Sequence, residues 1–499
     1  MQNGTLLAAV DLGSNSFRLE IGRFTHGQIN RTEYLKETVR QGNGLDADRN
    51  LTPDAMRRGW DCLARFAERL AGFESHQIRA VATQTLREAR NRDEFLDRAH
   101  SILGFPIDVI PGREEARLIY QGVARMLPQS DERRLVVDIG GRSTEMILGQ
   151  GLEAHSMASY RLGSVAWSMR YFPEGQFNER AFEMAEIAAK AVLDEACNTY
   201  RAGTWDVAYG SSGTIGAVSD VLTAAGWAPS LVTRDGLNWL LDRLLKAQSA
   251  DRLKIEGMKE DRRAVIGGGV GVLRAVFELL GIEQMHVAQG ALRHGVLYDM
   301  LSHEQDLTDL RSTSVKRLSL KFDVDPLQAQ RVSKVAHHLF LMLEKELPTA
   351  DSDRLQRKLQ WAAQLHEIGS HISHNDYHKH GAYIIDNGDA PGFALSELHR
   401  LSLLVLGHRG KLRKLEVDFE DRKFVQQLLS LRIAVILCHA RRDPDLTGLQ
   451  LQASLQPGRA FVLNCRPGWS EAFPQSAHLL QEEVLAWQKT PWSLTATGL

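Results

Sequence analysis

Apolar runs and polar breaks divide the chain into two kinds of territory. Up to about residue 302, short apolar runs of strand length alternate with stretches whose apolar residues recur at helical spacing. The run AAVDLGSNSFRLEIG, residues 8 to 22, breaks into Gly, Ser and Asn after Asp11 and then turns apolar again, which predicts strand, turn, strand. A helix is predicted from about Pro53 to Ala71, a buried strand at IRAVAT, a helix from about Gln84 to Leu103, a strand at PIDVI and a helix over REEARLIYQGVARML. From Leu135 the theme repeats: a hairpin in VVDIGGRSTEMILG, long helices, the strand WDVAYG running into SSGT, and HVAQGALRHG leading into a helix. Strands alternating with helices predict α/β domains. Beyond about His303 the strand pattern vanishes, and Val315 to Arg442 reads as helices only. LQLQASLQPGRAFVLNC then alternates like a hairpin around Pro-Gly-Arg before a final helix. The predicted organisation is α/β at 1–130 and 131–302, helical at 303–445 and a small α+β domain at 446–499.

The two hairpins align without a gap. Asp11 falls on Asp138, Gly13 on Gly140, Ser16 on Ser143 and Gly22 on Gly149, each 127 residues apart. An offset of domain size points to a duplicated domain rather than a short repeat. Glycines in such turns let backbone N–H groups and hydroxyls converge on an anion, usually a phosphate, beside an aspartate that can hold a metal ion. For either copy alone, a tight hairpin without a ligand is the plain alternative. Because the glycines lead into a strand and not a helix, a P-loop and a Rossmann fingerprint are both excluded.

Composition narrows the partners. The charged fraction of 24% and hydrophobic fraction of 43% are ordinary globular values. With a net charge of −2, whole-molecule attraction cannot recruit a polyanion, so an anionic substrate must be met by clustered Arg and Lys. No nucleic-acid partner is expected. Cys62, Cys197, Cys438 and Cys465 are spread without a C-x-x-C pair and read as reduced thiols of a cytoplasmic protein. No apolar run approaches membrane-spanning length and no basic leader precedes the first strand, so neither a membrane span nor a signal peptide is expected.

Paired hairpins of this kind resemble the phosphate loops of the sugar kinase, Hsp70 and actin superfamily. Within it, DLGSNSFRLEIG, TQTLREARN, PGREEARLIYQGV, DIGGRSTE, GSSGT and GALRHGVLYDM, in this order, resemble the exopolyphosphatase and guanosine pentaphosphate phosphohydrolase family over roughly residues 5 to 300. LHEIG and HKHGAYII extend a weaker likeness into the last third. The resemblance implies two duplicated actin-like (ribonuclease H-like) domains around a cleft, an all-α HD-like domain and a small α+β C-terminal cap. It also implies a hydrolase that needs a divalent cation and is typically a dimer.

Candidate chemistry follows. Glu114 and Glu115 both lie in a first helical turn, where acidic residues offset the helix dipole. Glu115 shares a face with Leu118, Ile119 and Val123, Glu114 with Arg117 and Gln121. A carboxylate on a buried stripe has a raised pKa unless paired, which suits a base that takes a proton from water. The resemblance places the catalytic base at the same residue, Glu115. Asp138, with Asp11 opposite and Glu145 leaving the second turn, offers carboxylates for Mg2+, with K+ a further candidate; capping of the turn is the alternative for Asp138. Neutral donors to phosphate are Ser14, Asn15, Gly140, Gly141 and Ser143, with Gly210, Ser211, Ser212 and Gly213 on a third loop that opens a helix. Arg142 stands where the family commonly has another glycine; it either grips phosphate or points to solvent. Arg87 and Arg262 match family positions on the substrate path, with surface ion pairs the plainer reading of each.

In the last third, His366, His371, His374, His378 and His380 invite a metal hypothesis, and LHEIG resembles an HD-type motif with Glu367 in place of the aspartate, but the rest of that ligand set is missing. The alternative is a polyphosphate path through His378, His380, Arg409, Lys411, Arg413 and Lys414, the last four from the exposed-looking segment HRGKLRK; a solvated charge run competes with it. The expected activity is removal of the terminal phosphate from inorganic polyphosphate by water. Guanosine pentaphosphate hydrolysis is the alternative, and a nucleotide-binding regulator of the actin/Hsp70 class the second alternative. A polyphosphate-binding scaffold is disfavoured by Glu115 and Asp138.

Overall fold

The computed structural model describes residues 2–25, 28–128, 130–302, 310–344, 349–453 and 459–499. They form two compact units, Met1–Thr308 and Asp309–Leu499.

The first unit is built on two mixed sheets. In the first sheet β1 (Leu6–Leu12), β2 (Phe17–Thr25), β3 (Gln28–Glu37), β4 (Ile78–Ala82) and β5 (Ile107–Val109) lie in the order β3-β2-β1-β4-β5. The second contains β6 (Arg133–Ile139), β7 (Thr144–Gln150), β8 (Glu153–Tyr160), β9 (Val207–Ser211), β10 (Leu231–Thr233) and β11 (Gln284–Val287), in the order β10-β11-β9-β6-β7-β8. The duplication therefore reaches the strand order, with an antiparallel three-strand ribbon on one side of each sheet and two parallel strands on the other, to which the second sheet adds the antiparallel edge strand β10. It reaches finer detail too, since a register shift falls between Ile21 and Gly22 in one copy and between Leu148 and Gly149 in the other. A Cβ on Gly22 would strike the Ile29 side chain and one on Gly149 the Tyr120 ring, so glycine makes each bulge possible.

Two sequence expectations are corrected in this unit. Each ribbon has a third strand, β3 or β8, beyond the expected hairpin; β3 has no buried residue, so it lacks the apolar alternation that marks a half-buried strand. The helix expected from Gln84 to Leu103 is broken into Gln84–Glu88 and Arg92–Leu103. Tertiary contacts win over propensity there: Asn91 exchanges two hydrogen bonds with the Leu51 backbone (2.8 and 3.0 Å), and the Arg90 N–H donates to the Arg49 carbonyl at 3.0 Å.

The helix Gly112–Met126 crosses Leu292–Ser302 at backbone contact, because a Cβ on Gly122 or Gly295 would fall on main-chain atoms of the other helix. Beside this crossing Arg117 pairs with Glu114 (2.8 Å) and Asp299 (2.7 Å), and Asp299 also pairs with Arg79. Glu114 thus has the partner its helical face predicts, but that face is buried, not solvated, with Glu114 1% exposed.

In the second unit the helices Leu310–Lys321, Pro326–Leu343, Thr349–Leu365, Tyr377–Asn387, Leu395–Gly407 and Arg422–Leu437 enclose one core that includes Phe340, Leu359, Leu404 and Leu428. β12 (Gln450–Ala453) and β13 (Ala460–Asn464) form the expected hairpin, whose Pro-Gly lies outside the described residues. The chain does not end on the helix Pro474–Trp487, as expected; β14 (Ser493–Thr497) follows and pairs parallel with β13. A buried ion pair, Arg432 with Glu483 (2.5 Å), holds that helix to Arg422–Leu437. Among the described residues no helix is long and apolar enough to cross a membrane.

Candidate active site

A cleft of about 450 Å³ opens in the first unit where β1, β4, β6 and β9 end. Ligand sites collect at the carboxyl ends of such strands. The turn after β1 brings Gly13, Ser14 and Asn15 to the cleft, the turn after β6 brings Gly140, Gly141 and Ser143, and the loop after β9 brings Ser212 and Gly213. Gly210 and Ser211 lie one step back, inside β9. A Cβ on Gly141 would approach the Ser14 side chain at 3.0 Å, so the two duplicated turns touch. Ser212 adopts φ 103°, where non-glycine residues are strained, and its hydroxyl accepts from the N–H of Thr214 (3.2 Å) and Ile215 (3.4 Å), capping Gly213–Ala224.

The cleft is rich in cations. Arg18, Lys36, Lys259, Arg262 and Arg293 all line it. Four are partnered: Arg18 with Asp11 (3.0 Å), Lys36 with Asp261 (2.8 Å), Lys259 with Asp220 (2.8 Å) and Arg293 with Glu20 (3.0 Å). Arg262 lies against Gly213, with Asp261 3.8 Å away; burial, and then the neighbouring Arg18, lower its pKa. An anion in the cleft would relieve that buried positive charge. Of these five, only Arg262 was anticipated. Arg18 was legible, since a tight turn pairs it with Asp11, whereas Lys36 and Tyr34 sit on the unexpected β3. Arg293 lies in the quoted GALRHGVLYDM and Lys259 three residues before Arg262, but neither carries a pattern of its own.

Behind the cations stand the carboxylates. Glu115 lines the cleft and is 7% exposed, and Arg87 donates to its Oε2 at 2.7 Å. Burial raises its pKa, with Arg87 opposing the rise. Asp138 also lines the cleft; burial pushes it up to about 6, against the nearby Ser211 hydroxyl and with the help of the negative Glu115. Glu145 is directly opposite Asp138 across the hairpin, where the first copy has Arg18 opposite Asp11. It does not line the cleft. Its Oε1 accepts from Ser159 at 2.7 Å, its Oε2 is buried without a hydrogen bond, and burial, Glu115 and Asp138 together raise its pKa well above the ordinary value. The three expected metal carboxylates are therefore not gathered into one cage, and among the described residues no three His, Cys, Asp or Glu are placed to hold a metal ion. Asp138, with Asp11 and Glu115 also lining the cleft and the buried Glu145 behind it, still fits a magnesium ion that takes its other ligands from phosphate and water.

Two predicted substrate arginines have protein partners. Arg87 serves Glu115 and the Ile110 carbonyl (2.9 Å). Arg142 does not line the cleft and is only partly exposed: it donates to Glu88 (3.1 and 2.9 Å) and to the Gly42 carbonyl (3.0 Å).

The histidines of the second unit are scattered among local partners. His366 and His408 are buried 5.5 Å apart, each with Nδ1 on a carbonyl three residues back, while His371 packs on Phe322 and His374 on Tyr377. His378 is 6.4 Å from His408, and His380 packs against Gly369. In the basic segment, His408 is buried rather than exposed, Leu412 anchors it, Arg409 lies over Tyr377, and Lys411, Arg413 and Lys414 are exposed.

Two duplicated lobes around a cation-rich cleft define a phosphate-handling enzyme of the actin-like ATPase superfamily. The chain belongs to the Ppx/GppA phosphatase family, whose model matches residues 21–304, and domain III of that family matches 310–484. Such phosphatases are hydrolases. The chain is similar to an exopolyphosphatase from Cytophaga hutchinsonii at 26% identity, TM-score 0.54, over 60% of this chain and 98% of that one. An exopolyphosphatase-like protein matches at 25%, TM-score 0.54, with the same shares. The Aquifex aeolicus family member, at 24% and TM-score 0.51, covers 60% of this chain and 99% of its own and shares the fold.

Proposed function

We propose that this chain removes the terminal phosphate of inorganic polyphosphate. The observation that carries the reading is a buried carboxylate, Glu115, fixed by Arg87 at the wall of a cleft whose other walls are polar turns and cations. The turns after β1, β6 and β9 bind the end phosphate through N–H and hydroxyl groups, and Arg262 and Arg18 offset its charge. Glu115 accepts a proton from the attacking water; its raised pKa makes it a stronger base than an exposed glutamate. Positioning and charge neutralisation supply most of the catalysis in such transfers. Asp138 would hold Mg2+, with Asp11 and Glu145 shaping the field around it, and the ion would supply charge neutralisation at phosphate oxygens. The protein works in the cytoplasm, as a homodimer.

A second reading, hydrolysis of guanosine pentaphosphate, is favoured by Tyr34, a cleft residue 40% exposed whose ring could carry a nucleobase. Phosphate release from polyphosphate of graded length and from guanosine pentaphosphate, with magnesium and with EDTA, separates the two. Faster release from long chains supports the first reading. A higher kcat/KM for the nucleotide overturns it.

A further inference from the structure

A continuous line of hydrogen bonds runs from the second phosphate turn to the candidate base. Arg142, in that turn, donates through Nε and Nη2 to Glu88 Oε2 (3.1 and 2.9 Å). Glu88 Oε1 accepts from Gln84 Nε2 at 2.6 Å. Gln84 Oε1 accepts from Arg87 at 3.0 and 2.6 Å, and Arg87 Nη1 donates to Glu115 at 2.7 Å. Every donor and acceptor alternates correctly, so each side chain fixes the next. Three of the five residues sit on the short helix Gln84–Glu88, the piece cut from the longer helix expected there. Gln84, Arg87 and Glu88 thus form one short block separate from Arg92–Leu103.

The far end of this line is also tied to the first lobe, which carries Glu115. Arg142 Nη1 also donates to the Gly42 carbonyl at 3.0 Å, and the Gly42 N–H donates to the Ser14 carbonyl at 2.8 Å. One guanidinium therefore registers the second phosphate turn against both the first turn and the block that holds the base. A Cβ on Gly42 would meet Arg142 Cδ and the Ser14 carbonyl oxygen, each at 3.1 Å, so the approach is close on all sides.

We propose that Arg142, Glu88 and Gln84 are positioning residues that set the orientation of Glu115 according to the seating of the second phosphate turn. This inference rests on Glu115 being the base. A phosphate that seats fully on the turn holds Arg142 in register, and through it holds the carboxylate that must face the attacking water. A line of contacts acquires functional meaning only when its members are energetically coupled, which double-mutant cycles measure.

The test is steady-state hydrolysis of tripolyphosphate by the full chain carrying Arg142→Ala, Glu88→Gln, Glu115→Gln and the pairs Arg142→Ala/Glu88→Gln and Arg142→Ala/Glu115→Gln, well below each variant's Tm. Arg142→Ala is expected to lower kcat about tenfold with KM within about twofold, a cost typical of a misplaced catalytic group. Arg142→Lys, which keeps the charge but not the fork, is expected to recover only part of the loss. In the Glu115→Gln background, Arg142→Ala should change kcat by less than about twofold, because the group it positions is already gone. Three results overturn the proposal. A raised KM with unchanged kcat makes Arg142 a substrate contact. A full tenfold loss on top of a slow Glu115→Gln makes it act elsewhere, with the base assignment intact. A parent-like rate for Glu115→Gln removes the base itself and the relay with it.

Discussion

Glu115 carries the sharpest residue-scale expectation. Glu115→Gln keeps the shape and the contact with Arg87 but cannot accept a proton, so turnover should fall about a hundredfold or more while substrate binding persists. Stopped-flow phosphate release together with equilibrium binding of tripolyphosphate separates the two quantities. Glu114→Gln, by contrast, leaves a charge short beside Arg117 and Asp299 in the helix crossing and should appear as lost stability. Asp138 behaves in the opposite sense. Its pKa rises from 3.8 to about 6 on folding, so the folded state resists ionisation. Without metal its contribution falls as pH rises from about 4 to about 6 and costs about 3 kcal/mol above that window. Asp138→Asn should therefore raise Tm at pH 7.5 in EDTA, while increasing the magnesium concentration needed for half-maximal activity. A lower Tm with an unchanged magnesium titration would return Asp138 to capping its turn.

At the scale of elements, the duplicated hairpins show how much was legible in the sequence and where legibility stopped. Alignment of Asp11 with Asp138 and Gly13 with Gly140 located both turns, because glycine and aspartate at a tight turn have few other uses, but not the bulges at Gly22 and Gly149, which only the strand registers show. It did not announce that Arg18 and Glu145 occupy the same place in the two copies, facing Asp11 and Asp138. One hairpin neutralises its aspartate and the other burdens it, which makes the second the more natural place for a cation. The edge strand β3 was hidden because none of its residues is buried, the break at Ala89 to Asn91 because it is decided by partners some 40 residues away in sequence, and Arg142 because its partners Glu88 and Gly42 come from the other lobe. The helix crossing supplies an element-scale test. Gly295→Ala would place a Cβ on the Leu118 carbonyl, a backbone atom that cannot turn aside, and should cost about 2 kcal/mol or more. Gly216→Ala, in open space within a helix, should instead stabilise by about 0.5 to 1 kcal/mol. Calorimetric unfolding of both variants checks the contrast, and equal Tm changes would mean that the two helices part more easily than their geometry implies.

For the whole molecule, the proposed activity asks how a chain of net charge −2 would hold a long polyanion. On that proposal the cleft would take the end of the substrate, since its five cations line a space of about 450 Å³. It does not account for the rest of a long chain, which must meet further positive charge if length is to matter. The exposed Lys411, Arg413 and Lys414 are the proposed source, held in place by the buried Leu412 between them. Each phosphate contact displaces condensed counterions, so affinity for long polyphosphate should fall with salt more steeply than affinity for tripolyphosphate. Changing Lys411, Arg413 and Lys414 together to Ala should flatten the long-chain salt slope toward the short-chain one and leave kcat on tripolyphosphate unchanged. Because all three side chains are exposed and Leu412 is kept, Tm should move by less than a few degrees. If the triple variant binds long polyphosphate as tightly as the parent from low to high salt, the segment is a solvated surface, and the length preference resides in the rim of the cleft.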